Sequence, residues 1–491
     1  MKKLLLIFMI LPLSIFGQTQ IGNEILGENL GDHSGYSTDI SDDGTIVAIS
    51  AYRNDENGLD SGHVRIYQYN GSNWIQLGSD IDGEAIDDYS GIEISLSADG
   101  TIIAIGSYRN DGNGTNSGHV RVYQYNGSNW SQLGADINGE VSNDASGRSV
   151  GLSSDGTIVA IGAYGNDDNG TNSGHVRVYQ YNGGDWIQLG ADINGEAPSD
   201  NSGYKISLSN DGSTVAVGAY GNDDNGANSG HVRVYQYNDS NWIQLGADID
   251  GEVQDDNSGR SVSLSNDGTI VAIGAPGNDE NGTDSGHVKV YQYNGSNWTQ
   301  LGSDINGEAS GDGSGRSLSI SSDGTIIAIG ASLNDGNGIS SGHIRVYKYN
   351  NGNWFQIGVD IDGASTGDKV GAGSSVSLSA NGSVVVAGAF NNDGNGEDSG
   401  HVRIYDLTTV LSVENQAFSN FRLYPNPTKT QFTIELKNDI ELVNVTIYNN
   451  LGQLVLSSKN STINTATFST GTYVIKIETK QGRALKKLII Q

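Results

Sequence analysis

Seven short loops in this chain place carboxylate and amide oxygens at the spacing with which a calcium loop begins. Each reads Asn-Asp-x-Asn-Gly-x-x-Ser-Gly-His, with its aspartate at Asp55, Asp111, Asp167, Asp223, Asp279, Asp335 or Asp393. Oxygen donors two positions apart before a glycine suit a hard cation, so these seven aspartates are the candidate metal ligands and Ca2+ the candidate ion. A calcium loop also needs a bidentate glutamate, and none follows at a fixed place. The same residues build a compact turn in which Asx side chains bond nearby backbone and glycine supplies positive φ. The turn is the stronger reading.

The histidine that ends each loop, at 63, 119, 175, 231, 287, 343 and 401, also invites a metal. One per unit on a third strand, they would stand roughly 10 Å out from the innermost strand at ~4.8 Å per strand, where equivalent positions of a ring do not converge. A polar role at the strand start is preferred. Acids between units, as in Asp-Ile-Asn-Gly-Glu at 192–196, recur at matching places. A solvated rim is the simpler account, and repeated pockets for a cation, a sugar or a basic protein the sharper one. There is no cysteine, hence no disulfide, thiolate site or thiol nucleophile. No phosphate-binding glycine loop, metalloprotease helix or nucleophile elbow is present, so no catalytic residue is assigned. A carboxylate pair for glycoside hydrolysis stays open. Near-uniform copies argue against one catalytic centre, and the irregular stretch is a two-residue insertion near 369–373.

The elements that hold these loops repeat with them. The histidines are spaced 56 residues apart five times and then 58, which points to stacked supersecondary units. In one copy, residues 147–153 and 157–163 flank a Ser-Asp-Gly turn, a polar loop follows, and 175–181 and 186–189 complete four short strands. The second strand is apolar on both faces, so such a sheet needs a like sheet on each side. Six copies end in a strand opened by Trp74, Trp130, Trp186, Trp242, Trp298 or Trp354, and the seventh stops at Tyr405-Asp406. Residues 18–35 align without gaps on 130–147, so the N-terminal segment supplies the missing strand. Two complementary half-units imply closure. The expected fold is all-β: a seven-bladed β-propeller closed by its N-terminal strand, over residues 18–406.

The run Ser258-Gly-Arg-Ser-Val-Ser-Leu-Ser-Asn-Asp-Gly-Thr-Ile-Val-Ala-Ile-Gly-Ala-Pro276 resembles the FG-GAP repeat of integrin-alpha-like propellers. The resemblance covers 18–407 and implies seven blades and a role in binding or adhesion. Two departures matter. Ser-Gly replaces Phe-Gly, and the hairpin that carries the family's calcium site is cut to Ser-Asp-Gly or Asn-Asp-Gly, as at Asp155 and Asp267. A turn that short cannot wrap a cation with six or more oxygens, so that site is not carried over.

Charge narrows the partners. The net charge is −31, while residues 418–491 carry +5 and residues 1–17 carry +2, which leaves −38 between them. A body that acidic repels nucleic acid and anionic lipid. Residues 1–17 read as a signal peptide: Lys2 and Lys3, an apolar run from Leu4 to Phe16 too short to span a membrane, and Gly17 at the cut. No membrane-spanning segment is expected after cleavage, and the propeller is expected to be monomeric.

Beyond a linker at 407–417 the composition changes. Strand-like runs at 431–436, 443–449, 453–457, 472–477 and 485–490 suit a small Ig-like β-sandwich over 418–491. Its markers are Tyr424-Pro425-Asn426-Pro427, Leu451-Gly452-Gln453, Gly471 with Tyr473, and the basic end Lys486-Lys487. In this order they resemble the type A sorting domain of the type IX secretion system. That implies the type IX machinery as a partner, a Bacteroidetes-type cell, and a protein secreted or held at the outer surface. The expected function is binding or adhesion, with the propeller as scaffold for an extracellular protein or glycan. A propeller hydrolase acting on extracellular polysaccharide, and a structural surface-layer element, are the alternatives.

Overall fold

In the computed structural model the described residues are 17–411, 421–436, 442–449, 453–479 and 482–490. The signal-peptide reading of residues 1–16 lies outside them. The chain divides into two compact units, residues 17–408 and the C-terminal unit from Thr409. Both are built of strands, and the described helix is the single turn Thr408–Leu411. No helix among the described residues is long and apolar enough to cross a membrane.

The first unit repeats one antiparallel sheet. In one instance Ser149–Leu152, Ile158–Ala163, His175–Tyr181 and Trp186–Gln188 pair in sequence order, and Ile193–Asn194 pairs back onto the third strand. Tight hairpins set this register. Asp155 Oδ1 accepts from Ser153 Oγ at 2.7 Å, Thr157 N at 3.0 Å and Thr157 Oγ1 at 2.8 Å, which closes the Ser-Asp-Gly turn on itself. The β-branched second strand is buried on both faces: Val159 and Ala160 are inaccessible and Ile161 nearly so. Each such aliphatic contributes about 1.5–3 kcal/mol, so a polar residue at Ile161 would break the sheet stack.

Seven sheets of this kind lie among the described residues. The last is completed from the other end of the chain: Thr19 and Gln20 pair with Asp406 and Tyr405, and Ile25 and Leu26 with Val402 and His401. First strands are tied to one another by serine hydroxyls. Ile94 N donates to Ser37 Oγ, Leu152 N to Ser95 Oγ, Ile206 N to Ser149 Oγ, and Leu264 N to Ser207 Oγ. Ile320 N and Leu378 N continue the series onto Ser263 and Ser319, and Ser377 Oγ donates to Thr38 O at 2.8 Å. The circuit returns to the sheet where it began.

The outer strands carry a second tie. Each tryptophan indole N–H reaches a carbonyl of the preceding sheet: Trp74 to Ile21, Trp130 to Leu77, Trp186 to Leu133, Trp242 to Leu189, Trp298 to Leu245 and Trp354 to Leu301, all at 2.7–2.9 Å. At the seam with no tryptophan, Gln18 donates to Val359 O at 2.6 Å and accepts from Val359 N at 3.1 Å. The expected linker begins as structure: Leu407 and Val410 are buried.

The C-terminal unit has two described sheets. Phe421–Tyr424, Gln431–Leu436 and Thr462–Asn464 form one, and Leu454–Ser458, Leu442–Asn449, Gly471–Thr479 and Gly482–Ile490 the other. They share a core of Phe432, Ile447, Ile463, Ile475 and Leu488.

Candidate functional site

The first strands of the sheets surround a cavity of about 360 Å³. Because each repeat opens its first strand at the same register, residues 36, 148, 204, 260 and 316 face it together: Tyr36, Arg148, Tyr204, Arg260 and Arg316. Lys205, Lys369, Glu93, Asp39 and Phe390 complete its polar and aromatic lining.

Two features organise these groups. The first is a bridge across the ring. Lys205 Nζ, from the fourth sheet, meets Glu93 Oε1 of the second at 2.8 Å and donates to Ser374 Oγ of the seventh at 2.9 Å. Ser374 in turn donates to Glu93 Oε2 at 2.6 Å. The second is a guanidinium group gathered on one phenol. Arg148 Nη2 donates to the Tyr204 hydroxyl at 2.6 Å, and Arg148 and Arg260 lie 4.4 and 4.1 Å from the centre of its ring. Arg316 makes no hydrogen bond or ion pair among the described residues. Desolvation and the neighbouring Arg260 charge push it below its ordinary value. Desolvation would raise Tyr204, but the two guanidiniums outweigh it and bring the phenol down to about 8. Asp39 moves the other way. Desolvation lifts it to about 6 against the N–H groups of Leu96 and Ile40.

An aromatic patch continues from the cavity. Tyr36 stands 4.5 Å from Tyr52 and 5.2 Å from Phe390, and Tyr52 packs edge-on to Tyr89. Exposed Arg53 and Arg109 lie over these tyrosines, Arg109 at 4.6 Å from Tyr89. Residues 18–417 hold 15 lysines and arginines, and seven of them are at this cavity or on this patch. The most acidic stretch of the chain therefore surrounds a concentrated positive site.

The candidate calcium aspartates sit elsewhere. Asp55 Oδ1 accepts the N–H of Asp60 at 2.7 Å, and Asp111, Asp167, Asp223, Asp279, Asp335 and Asp393 each accept the N–H five residues on at 2.7–2.9 Å. The asparagine before each aspartate is buried, and Asn54, Asn110 and Asn278 bond to Asp32, Asp88 and Asp256 of the preceding inter-unit segment. The insertion near 369–373 does reach the cavity, through Lys369, Ala372 and Gly373.

The histidines meet acids that the sequence left dispersed. His63 gathers with Glu28, Glu56 and Asp80, His175 with Glu140, Asp168 and Asp192, and His231 with Glu196, Asp224 and Asp248. Burial first, and then Arg65, Arg121, Arg233 or Arg403 two residues on, brings His63, His119, His231 and His401 down to about 4. Each histidine opens its third strand, as expected, and the acids that converge on it come from separate loops.

In the C-terminal unit the marker residues are brought together. Asn426 Oδ1 accepts from Ile489 N at 2.9 Å, and Thr428 N donates to Ile489 O, which stitches the Tyr424-Pro425-Asn426-Pro427 segment to the last strand. Gly471 and Tyr473 pair with Ile490 and Leu488 on that strand, and the buried Tyr473 hydroxyl donates to Ser469 O at 2.7 Å. Gln453 N donates to Asn449 Oδ1, and Lys486 is exposed while Lys487 pairs with Val474 through the backbone. Leu451 and Gly452 lie outside the described residues.

Comparison with known proteins agrees with this division. Residues 422–491 match the family described as the secretion system C-terminal sorting domain, and residues 138–179, 194–235 and 249–291 match the FG-GAP repeat. The chain thus carries FG-GAP repeats and ends in a type IX sorting domain, which directs it to the outer cell surface or the extracellular space. Among curated proteins, Ulvan lyase NLR42 of Nonlabens ulvanivorans is 38% identical over 89 residues, covering 17% of this chain and 16% of that protein. Three solved structures are similar at low level. A Bacteroides uniformis protein assigned provisionally as a 6-phosphogluconolactonase has TM-score 0.47 and 15% identity, over 67% of this chain and 85% of that one. Kuenenia stuttgartiensis hydrazine synthase has TM-score 0.43 and 14% identity, over 65% and 78%. Chaetomium thermophilum Raptor has TM-score 0.47 and 11% identity, over 79% and 29%.

Proposed function

We propose that this exported chain is a binding protein whose ring takes an acidic extracellular glycan at its central cavity. In this reading residues 18–406 are a seven-bladed β-propeller closed by the N-terminal strand, and residues 418–491 an Ig-like sandwich that serves export. The observation that carries it is the placement of charge. Arg148, Arg260, Arg316 and Lys369 converge in a body of net charge −38, and Arg316 makes no ion pair among the described residues. Guanidiniums match carboxylate and sulfate oxygens through paired N–H groups. The adjoining tyrosines and Phe390 offer flat apolar faces to sugar rings. An anion seated here relieves the repulsion among the arginines.

The test is a glycan array probed with the full chain. Retention of uronate- or sulfate-bearing glycans over neutral ones of the same backbone is the expected outcome. Equal retention, or none, counts against it.

A second reading rests on two of the lining groups. Tyr204 near 8 and Asp39 near 6 are suited to proton transfer at neutral pH, and both face the cavity that holds the arginines. A polysaccharide-acting enzyme would use them, and the partial similarity to an ulvan lyase is consistent with one. Release of shorter or unsaturated products from an acidic polysaccharide would establish this reading.

A further inference from the structure

We propose that the histidine–carboxylate clusters between neighbouring sheets are binding sites for a divalent transition-metal ion of the zinc type, used several times over around the ring. The proposal is independent of what the central cavity binds. In three clusters, His63/Glu28/Glu56/Asp80, His175/Glu140/Asp168/Asp192 and His231/Glu196/Asp224/Asp248, four donor atoms lie within 4.8 Å of one another. Two more, His119/Glu84/Asp136 and His287/Glu252/Asp304, bring three donors together.

The acids alone would be a solvated rim. The histidines set these clusters apart. His63, His175 and His231 are at most 1% exposed, and neither ring nitrogen of any of them has a hydrogen-bond partner. Such a group is costly to bury unless something binds it. Two of them point at the carboxylates within 4 Å: His63 Nδ1 is 3.6 Å from Asp80 Oδ2, and His231 Nδ1 is 3.7 Å from Asp248 Oδ2, while the His175 donors lie within 4.8 Å of one another. Ligands about 2.0–2.2 Å from a tetrahedral zinc stand roughly 3.3–3.5 Å apart, so small side-chain shifts complete the geometry.

A cation already occupies one of the equivalent places. Where the other sheets have arginine two residues after the histidine, the fifth has Lys289, whose ammonium contacts Glu252 and lies 3.6 Å from Asp304 Oδ2. The carboxylates are thus arranged to receive a compact positive charge. In the other clusters the guanidinium binds the inter-sheet glutamate, as Arg65 does Glu28 at 2.9 Å, and leaves the histidine and Asp80 free of it. Nitrogen with three carboxylates favours a borderline metal over calcium, which takes six to eight oxygens. Glu28 and Glu140 belong to the segment before the sheet that supplies the other donors, so each ion would clip two neighbouring sheets.

The test is equilibrium dialysis of the full chain, without a histidine tag and stripped by chelator, against Zn2+ and separately against Ca2+, with bound metal counted by mass spectrometry. At least three Zn2+ per chain are expected, with Ca2+ unable to displace them at equal concentration. Glu56→Gln with Asp80→Asn, both at accessible positions, should remove one Zn2+ and leave the circular dichroism unchanged. His63→Asn should remove the same one. Cobalt in place of zinc should give a visible spectrum that weakens in step with these variants. Less than one Zn2+ per chain, or an unaltered stoichiometry in the Glu56/Asp80 variant, overturns the proposal.

Discussion

Replacing one tryptophan separates the two things it does between sheets. Trp186 donates its indole N–H to Leu133 O at 2.8 Å and packs its ring beside Tyr181, whose centre is 5.3 Å away. Trp186→Phe keeps most of the packing and deletes the donor. A hydrogen bond of this kind contributes about 0.5–1.5 kcal/mol net, and a carbonyl left without its partner moves the loss toward the upper end. Trp186→Ala adds the loss of a large buried aromatic, for a total of about 3–5 kcal/mol. Thermal melting is a poor detector. At roughly 2.1 cal/mol/K per residue, a unit of 392 residues gains about 0.8 kcal/mol/K of entropy on unfolding, so the Phe variant shifts Tm by only about 1–2 °C. Urea titration followed by tryptophan fluorescence, with Trp242→Phe as an independent copy, reads the free energy directly. A Phe variant within about 0.3 kcal/mol of the parent would refute the tie as a hydrogen bond and leave packing alone.

Deleting residues 18–30 should expose the His401–Asp406 edge and make the chain aggregate, and a synthetic 18–30 peptide should restore a monodisperse species on size exclusion. An unaffected deletion variant would deny the closure. Ultraviolet titration should show one phenol ionising near pH 8, lost in Tyr204→Phe; no difference between the two would contradict the arginine environment. The turn aspartates Asp43, Asp99, Asp155, Asp211, Asp267 and Asp323 are all held below their ordinary value, hydrogen bonds from flanking Ser and Thr outweighing desolvation. A depressed carboxyl stabilises above its unfolded value and loses that contribution as pH falls through the folded one. The urea midpoint should therefore decline below about pH 4, less steeply once these aspartates are replaced by asparagine.

The repeat made the ring unit legible because each sheet reuses one pattern. The two-faced apolar second strand, the Ser-Asp-Gly turn and the alignment of 18–35 on 130–147 lead to the register observed at Thr19 and Asp406. The C-terminal strands match the sequence runs with small boundary shifts, except Phe421–Tyr424 and Thr462–Asn464, whose four and three residues are too short for alternation to mark a strand. The cavity was less visible. Arg148, Arg260 and Arg316 are between 56 and 168 residues apart, and only the arrangement of the sheets brings them to one cavity. A signal was present, since the residue after the Ser-Gly pair departs from uniformity, Tyr or Ile in some copies and Arg in others. The histidine clusters escaped for a related reason. The seven histidines do not meet one another; His63, His119, His175, His231 and His287 instead meet acids from separate loops.

The central claim is that the cavity binds an anion through its arginines. Calorimetric titration of the full chain with a uronate oligosaccharide, in parallel with Arg260→Gln and Arg316→Gln and with Arg65→Gln as an outer control, measures it directly. The account predicts at least a tenfold loss of affinity in each cavity variant, about 1.4 kcal/mol or more, a steep salt dependence in the parent, and no change in the Arg65 variant. Equal affinity across all four proteins would contradict it.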